Sequence, residues 1–209
     1  MRNLARHGLI YTFFIALSVF AAGDLRGQED KPRAVVSAFQ DELLTTMKQA
    51  KVLSFEDRYQ QLLPAMERAF DFHEITRIAV GPNWIKMPET EQRQVVDLFR
   101  RFSVSTYASA FSSYEGEQFE IGEARAQSGL GTIVETRLTP KHETSIEIDY
   151  LLRDTPDGWK IVDVYLAGTI SELARRRAEF SSIIRKQGVV GLIDTLKRKN
   201  AELAALRKE

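Results

Sequence analysis

Apolar positions along this chain keep two different periods, and the change between them divides it. From residue 35 they recur every three or four positions: Val35, Phe39, Leu43 and Met47, with Val36 and Leu44 beside them. That is the stripe of an amphipathic helix, and Pro32 suits its first turn. Ser54 with Asp57 signals a cap for a second helix carrying Phe55, Tyr59, Leu62 and Leu63. Pro64 is expected to interrupt it, because proline lacks the donor and clashes with the preceding turn. A short helix over 65–70 would follow. Asp71 with Glu74 opens a third helix over 72–80, and Gly81-Pro82 closes it. Pro88, Glu89 and Glu91 begin a long helical segment, acid being favourable at a helix start. Its apolar positions are Val95, Leu98, Phe99, Phe102, Tyr107, Phe111 and Tyr114. The spacing slips between Phe102 and Tyr107 across weak helix formers, so a kink or break is expected at 103–106.

Beyond residue 116 the period becomes two. Four strands are expected, over 117–125, 132–139, 145–153 and 159–167, with short connections that favour an antiparallel meander. In the third, Ile146, Ile148, Tyr150 and Leu152 share a face opposite Ser145, Glu147, Asp149 and Arg153. The fourth is apolar on both faces, with Trp159, Ile161 and Tyr165 on one and Val162, Val164 and Leu166 on the other, and therefore needs cover on both. Between them Asp154-Thr155-Pro156-Asp157-Gly158 suits a hairpin turn. Thr169 with Glu172 starts a helix carrying Leu173, Phe180, Ile183 and Ile184, which Gly188 ends. A last helix holds Leu192, Ile193, Leu196, Leu203 and Leu206. Helices, then strands, then helices make an α+β chain. The expectation is a single domain with a four-stranded antiparallel curved sheet covered by about six or seven helices.

The first 23 residues follow neither period. Arg2, Arg6 and His7 precede an apolar run over 9–22, then small residues up to Gly23 and polar Asp24. This is the pattern of a secretory signal peptide, and at 14 residues the run is short of the about 20 that span a bilayer. Residues 1–23 are therefore expected to be removed on export to the periplasm, with cleavage near Gly23 or as late as Gly27. Residues 24–31 are expected to be a flexible lead-in to a domain over 32–209. The composition is ordinary for a globular protein, 44% hydrophobic and 28% charged over 209 residues. Its 29 basic and 29 acidic residues lack the basic excess that nucleic acid requires. The absence of cysteine excludes disulfides and thiolate chemistry.

Little in the chain looks catalytic. His73 and His142 have no partner at metal-ligand spacing, so neither a metal nor a cofactor is expected. Asp163 interrupts an otherwise apolar strand, and a buried carboxylate needs a partner or a shifted pKa. It could act as a general base, supplemented by Asp149 and Tyr150. The favoured reading is structural: Asp163 accepts hydrogen bonds from backbone or an arginine and locks the hairpin to a helix. The aromatic stripe of the long helix is either ordinary core or one wall of a partly open slot for an apolar ligand. Arg175-Arg176-Arg177 could meet an anionic head group or form a solvated helix face.

The chain resembles the MlaC family, also called the toluene-tolerance auxiliary family. The residues that carry the resemblance begin with Ile148-Asp149-Tyr150, Gly158-Trp159-Lys160-Ile161-Val162-Asp163-Val164 and Ala167-Gly168-Thr169-Ile170. Arg177, Phe180 and Gly188-Val189-Val190-Gly191-Leu192-Ile193 follow. Upstream, Phe70-Asp71, Ile78-Ala79-Val80-Gly81 with Trp84, and Glu91-Gln92-Arg93 with Phe99, Phe102 and Tyr107 fall in the family's order. Ile170 departs from the serine usual there. The resemblance implies an NTF2-like sheet core and a monomeric periplasmic phospholipid carrier with the head group left in solvent, not an enzyme. Its implied role is to move lipid between an outer-membrane lipoprotein complex and an inner-membrane ABC transporter with an MCE-domain ring, maintaining outer-membrane lipid asymmetry. A hopanoid-associated carrier, a small NTF2-like enzyme using Asp163 and an envelope interaction module with a closed core remain open. The expected lipid-lining residues are Phe99, Phe102, Tyr107, Phe111 and Tyr114 from helix, with Ile148, Tyr150, Val164 and Leu166 from the hairpin. Phe180, Ile183 and Leu192 are expected to seal the other sheet face as solid core. Which strand face looks inward stays open, since a one-residue slip swaps the set.

Overall fold

A computed structural model describes residues 22–141 and 144–205, with side chains from residue 31 onward. Most of the expected signal peptide, and His142, lie outside the described residues. The helices are α1 (Ala22–Lys48), α2 (Phe55–Ala69), α3 (Phe72–Val80), α4 (Glu89–Ala110) and α5 (Glu172–Ala205), with a 3-10 helix at Gly81–Lys86. The strands are β1 (Gln118–Gln127), β2 (Gly131–Thr139), β3 (Ile146–Thr155), β4 (Gly158–Leu166) and a two-residue β5 (Ile170–Ser171). They form one antiparallel sheet in chain order.

The architecture is α+β as expected, but the helices are fewer and the strands one more. Ser54 caps α2: its Oγ accepts from the Asp57 amide at 3.1 Å while its own amide donates to Asp57 Oδ2 at 3.0 Å. The helix then runs straight through Pro64. Leu62 and Met66, on either side of the proline, are fully buried. Their burial, about 1.5–3 kcal/mol each, outweighs the roughly 3 kcal/mol that an internal proline costs. The break expected at 103–106 is also absent. Ser103 and Thr106 donate back to the Phe99 and Phe102 carbonyls at 2.9 and 2.8 Å, so their hydroxyls are satisfied within the helix. The buried stripe continues through Val104, Ser105 and Ala108, residues too small to register beside the aromatics. Helical backbone extends back to Ala22, through the expected lead-in, and places Pro32 inside α1. The two final helices are pieces of α5 joined at Gly188, whose φ of 69° breaks the helical path.

The β3–β4 hairpin has the tight turn the sequence suggests, with Thr155 paired to Gly158 around Pro156-Asp157. The register then shifts: Leu152 faces Ile161, and Leu151 faces Asp163, so Val162 is an extra, bulged residue. A bulge turns the side chains beyond it. Ile161 and Val164 therefore share the face of Tyr150 and Leu152, in place of the expected Val162 with Val164. Ile161, Val162, Asp163 and Val164 are all buried, so the demand for cover on both sides is met. The free edge of β4 is covered too: the Asp71 amide donates to the Ile161 carbonyl at 3.0 Å, and β5 pairs with Tyr165 and Leu166. Helix α5 packs on α3 and α4, with Phe180 edge-on to Phe99 at 5.7 Å. It also touches β4 and β5; Phe180 and Leu192 are buried in the core, whereas Ile183 is only half-buried.

Candidate functional site

A cavity of about 340 Å³ lies between the β3–β4 hairpin and the helices. Seven of the nine expected residues border it: Phe99, Tyr107 and Phe111 from α4 and its end, and Ile148, Tyr150, Val164 and Leu166 from the hairpin. The bulge explains the hairpin set. Ile148 pairs with Leu166 and Tyr150 with Val164, so the four side chains share one face.

Phe102 and Tyr114 do not border the cavity. Phe102 lies under two cations, Arg176 at 4.8 Å and Lys199 at 5.3 Å from the ring centre. Tyr114 falls beyond the end of α4, with Lys48 Nζ 5.7 Å from its ring. Both were placed by an apolar stripe, and aromatic rings that serve as platforms for cations look the same in sequence.

Further residues border it that the sequence did not assign to this wall, among them Val162 of β4, Arg175 and Arg176 of α5, and Met66, Phe70, Phe72 and Ile75 at the junction of α2 and α3. A signal was present. Asp71 caps α3, accepting from the Glu74 amide at 2.8 Å. Phe70 and Ile75 therefore occupy the two positions of a hydrophobic staple.

Behind this wall the packing is aromatic. Phe39 of α1 meets Phe70 at 5.0 Å, Tyr107 at 5.7 Å and Tyr150 at 6.2 Å between ring centres. Burial pushes the Tyr107 phenol well above its ordinary value. Burial likewise lifts Tyr150 to about 12, against the pull of a hydrogen bond from Gln40. Both phenols stay neutral; the charged side chains that border the cavity, Asp163, Glu172, Arg175 and Arg176, come from β4 and the start of α5.

Asp163 borders the cavity but is occupied. It is 6% exposed, and its oxygens accept from the Val164 amide at 2.8 Å, the Leu173 amide at 2.9 Å and Ser171 Oγ at 2.6 Å. Ser171 Oγ in turn accepts from the Ala174 amide at 2.9 Å. Asp163 and Ser171 together cap α5, which starts at Glu172 without the expected Thr169 box. This is the structural reading of Asp163: a carboxylate tying the hairpin to a helix start.

The arginine run is likewise committed. Arg175 pairs with Glu172, Arg176 with Glu179, and Arg177 donates to the Ile78 carbonyl at 3.2 Å. His73 stands edge-on to Trp84 at 5.4 Å. Among the described residues no three metal-ligating side chains gather, and no helix is long and apolar enough to cross a membrane.

The sequence model of the family described as "MlaC protein" matches residues 37–198. The chain belongs to the MlaC family. Among solved structures it is similar to a phospholipid-binding protein from Ralstonia solanacearum, solved in complex with a phospholipid. Identity is 25% and the TM-score 0.74, over 83% of this chain and 99% of that one. No curated protein matches. The MlaC match takes in α2, α3, α4, all five strands and most of α5, hence every wall of the cavity.

Proposed function

We propose that this chain is a periplasmic phospholipid carrier, and that the cavity holds acyl chain while the head group stays in solvent. The observation that carries this reading is the cavity itself, walled mostly by apolar side chains, in a chain whose structural relative was solved with a phospholipid bound. The physical need is clear. Each methylene kept from water contributes about 0.8 kcal/mol, so a free diacyl lipid crosses an aqueous gap very slowly. A dry slot of matching polarity removes most of that barrier, and a solvated head group keeps its charge hydrated.

The family supports a shuttle between an inner-membrane ABC transporter with an MCE-domain ring and an outer-membrane lipoprotein complex, serving outer-membrane lipid asymmetry. Release then depends on a partner that offers the chains a better apolar phase, since a ligand moves only down its own free-energy difference. The engagement of Asp163 by three donors disfavours a general base and, with it, an enzyme. Organic extraction of the purified protein followed by mass spectrometry is expected to yield phospholipid. Protein that is folded, empty and unable to take lipid from vesicles would sink the reading. Sequencing the N-terminus of the exported protein should find a start between Ala22 and Gln28, and a product retaining Met1 would exclude cleavage.

A further inference from the structure

Two tyrosines stand among the apolar residues of the cavity wall, and the protein leaves part of their hydrogen-bonding capacity unused. Tyr107 of α4 and Tyr150 of β3 both border the cavity, and both rings pack against Phe39. No hydrogen bond offsets burial at the Tyr107 phenol. Tyr150 and Glu172, two other wall residues, act on it through charge alone. At Tyr150 the position of the hydrogens follows from Gln40, which is 2% exposed. Thr136 Oγ1 gives its hydrogen to the Ile148 carbonyl and therefore accepts from Gln40 Nε2, at 3.0 Å. That contact fixes which way the amide faces. The Tyr150 phenol is also hydrogen-bonded by Gln40, yet Gln40 Oε1 has no partner among the described residues. Gln40 thus donates to the phenol oxygen and takes nothing from it. The Tyr150 hydrogen is left over, as are the hydrogen and the lone pairs of Tyr107.

The spare groups are of both kinds, donor and acceptor, and neither phenol is charged. A hydroxyl, which donates and accepts, answers that set. A plain methylene answers none of it. When unmodified hydrocarbon fills the cavity, the Tyr107 phenol gives up water and gains no partner, which is less favourable than a phenylalanine at the same place. A slot for plain chains alone has no use for the two hydroxyls. We propose that Tyr107 and Tyr150 form a polar subsite within the lipid slot, which binds a hydroxyl group carried along an acyl chain. This rests on the lipid-carrier reading above and names the class of chain the slot prefers: hydroxylated over plain.

The test is a competition. Purified protein is offered distearoyl phosphatidylcholine in mixed detergent micelles, with equal amounts of its analogues hydroxylated at carbon 3, 9 or 12 of the chains. Mass spectrometry then gives the ratio of each hydroxylated lipid to the plain one among those extracted with the protein. Tyr107→Phe keeps the ring and removes only the hydroxyl, and circular dichroism checks its fold. Tyr150→Phe is the second variant. One neutral hydrogen bond changes affinity about fivefold. For at least one position of the hydroxyl, the ratio should therefore be about fivefold lower in either variant than in wild type. Tyr114→Phe, whose ring lies beyond the end of α4, should keep the wild-type ratio. Variants with the wild-type ratio at all three positions overturn the proposal. If they load as much lipid as wild type, water is the phenols' partner. If they load less of every lipid, the hydroxyls hold the wall in place without regard to cargo. Wild-type protein that takes up none of these lipids defeats the carrier reading itself.

Discussion

Asp163 shows how one residue can be placed by its chemistry before its partners are known. A carboxylate in an apolar strand must be satisfied, and three donors satisfy it. Asp163→Asn keeps the shape but weakens the charge-assisted bonds to the start of α5. Such bonds contribute about 1.5–3 kcal/mol each, and lost caps cost about 1 kcal/mol. Urea denaturation should show a loss of about 1–2 kcal/mol, with lipid loading reduced only in proportion. Unchanged stability with lost binding would return Asp163 to a direct role.

A second contrast at this scale separates wall from core. Val164 and Phe111 border the cavity, so a glutamate there has space to occupy and an apolar ligand to repel. Val164→Glu and Phe111→Glu should give folded protein with little bound phospholipid. Ile183 is half-buried and makes a poor core control, whereas Leu192 is fully buried and has no such space. Leu192→Glu should leave no cooperative unfolding transition. If all three variants unfold, or if the first two load lipid fully, the slot is not where we place it.

At the scale of elements, type and order were legible and continuity was not. The switch of apolar period near residue 117 located the sheet, and capping residues located the starts of α2 and α3. Pro64 and the 103–106 stretch pointed to breaks because local propensity is all that a sequence window contains. Burial of Leu62 and Met66 and the back-bonded hydroxyls of Ser103 and Thr106 come from the folded helix and override it. The bulge at Val162 was invisible for the same reason: alternation reports a face only while the register holds. It moved Ile161 onto the inner face, yet the expected hairpin wall survived because Val164 and Leu166 lie beyond the bulge.

The kink in α5 is the break that did follow from the sequence, and its cause can be isolated. A Cβ added at Gly188 meets nothing within 4 Å, whereas one at Gly191 falls 2.2 Å from Gln187 Cβ. Gly188→Ala therefore tests backbone strain alone, at the positive φ that glycine tolerates. It should lower stability by about 1–3 kcal/mol in thermal or urea unfolding. A neutral or stabilising result would mean that the kink straightens without consequence.

For the whole molecule, two glutamates join elements that the sheet does not. Glu74 of α3 pairs with Arg77 on its own helix and with Arg153 of β3. Glu179 pairs with Arg176 before the α5 kink and with Lys199 after it. The hydrogen bond from Arg77 is the main reason Glu74 sits below the ordinary glutamate range; burial works against it, and the charges of Arg77 and Arg153 add to it. At Glu179 burial alone would raise the carboxyl, but hydrogen bonds from Lys199 and Arg176 outweigh it and hold it low as well. A carboxylate with a depressed folded pKa binds its proton more weakly folded than unfolded. Its contribution to stability is fully present above the unfolded value, about 4.3 for glutamate, and is lost as pH falls through the lower folded value. The protein should therefore lose stability on going from pH 6 to below pH 4, in the direction set by these two groups. Glu74→Gln and Glu179→Gln should each be less stable than wild type at pH 6 and should lose less on acidification, so that the difference narrows by about pH 3. Urea midpoints measured at both pH values decide it. Variants that stay below wild type by the same margin at each pH would show that the two carboxylates act by packing, with no linkage to the proton.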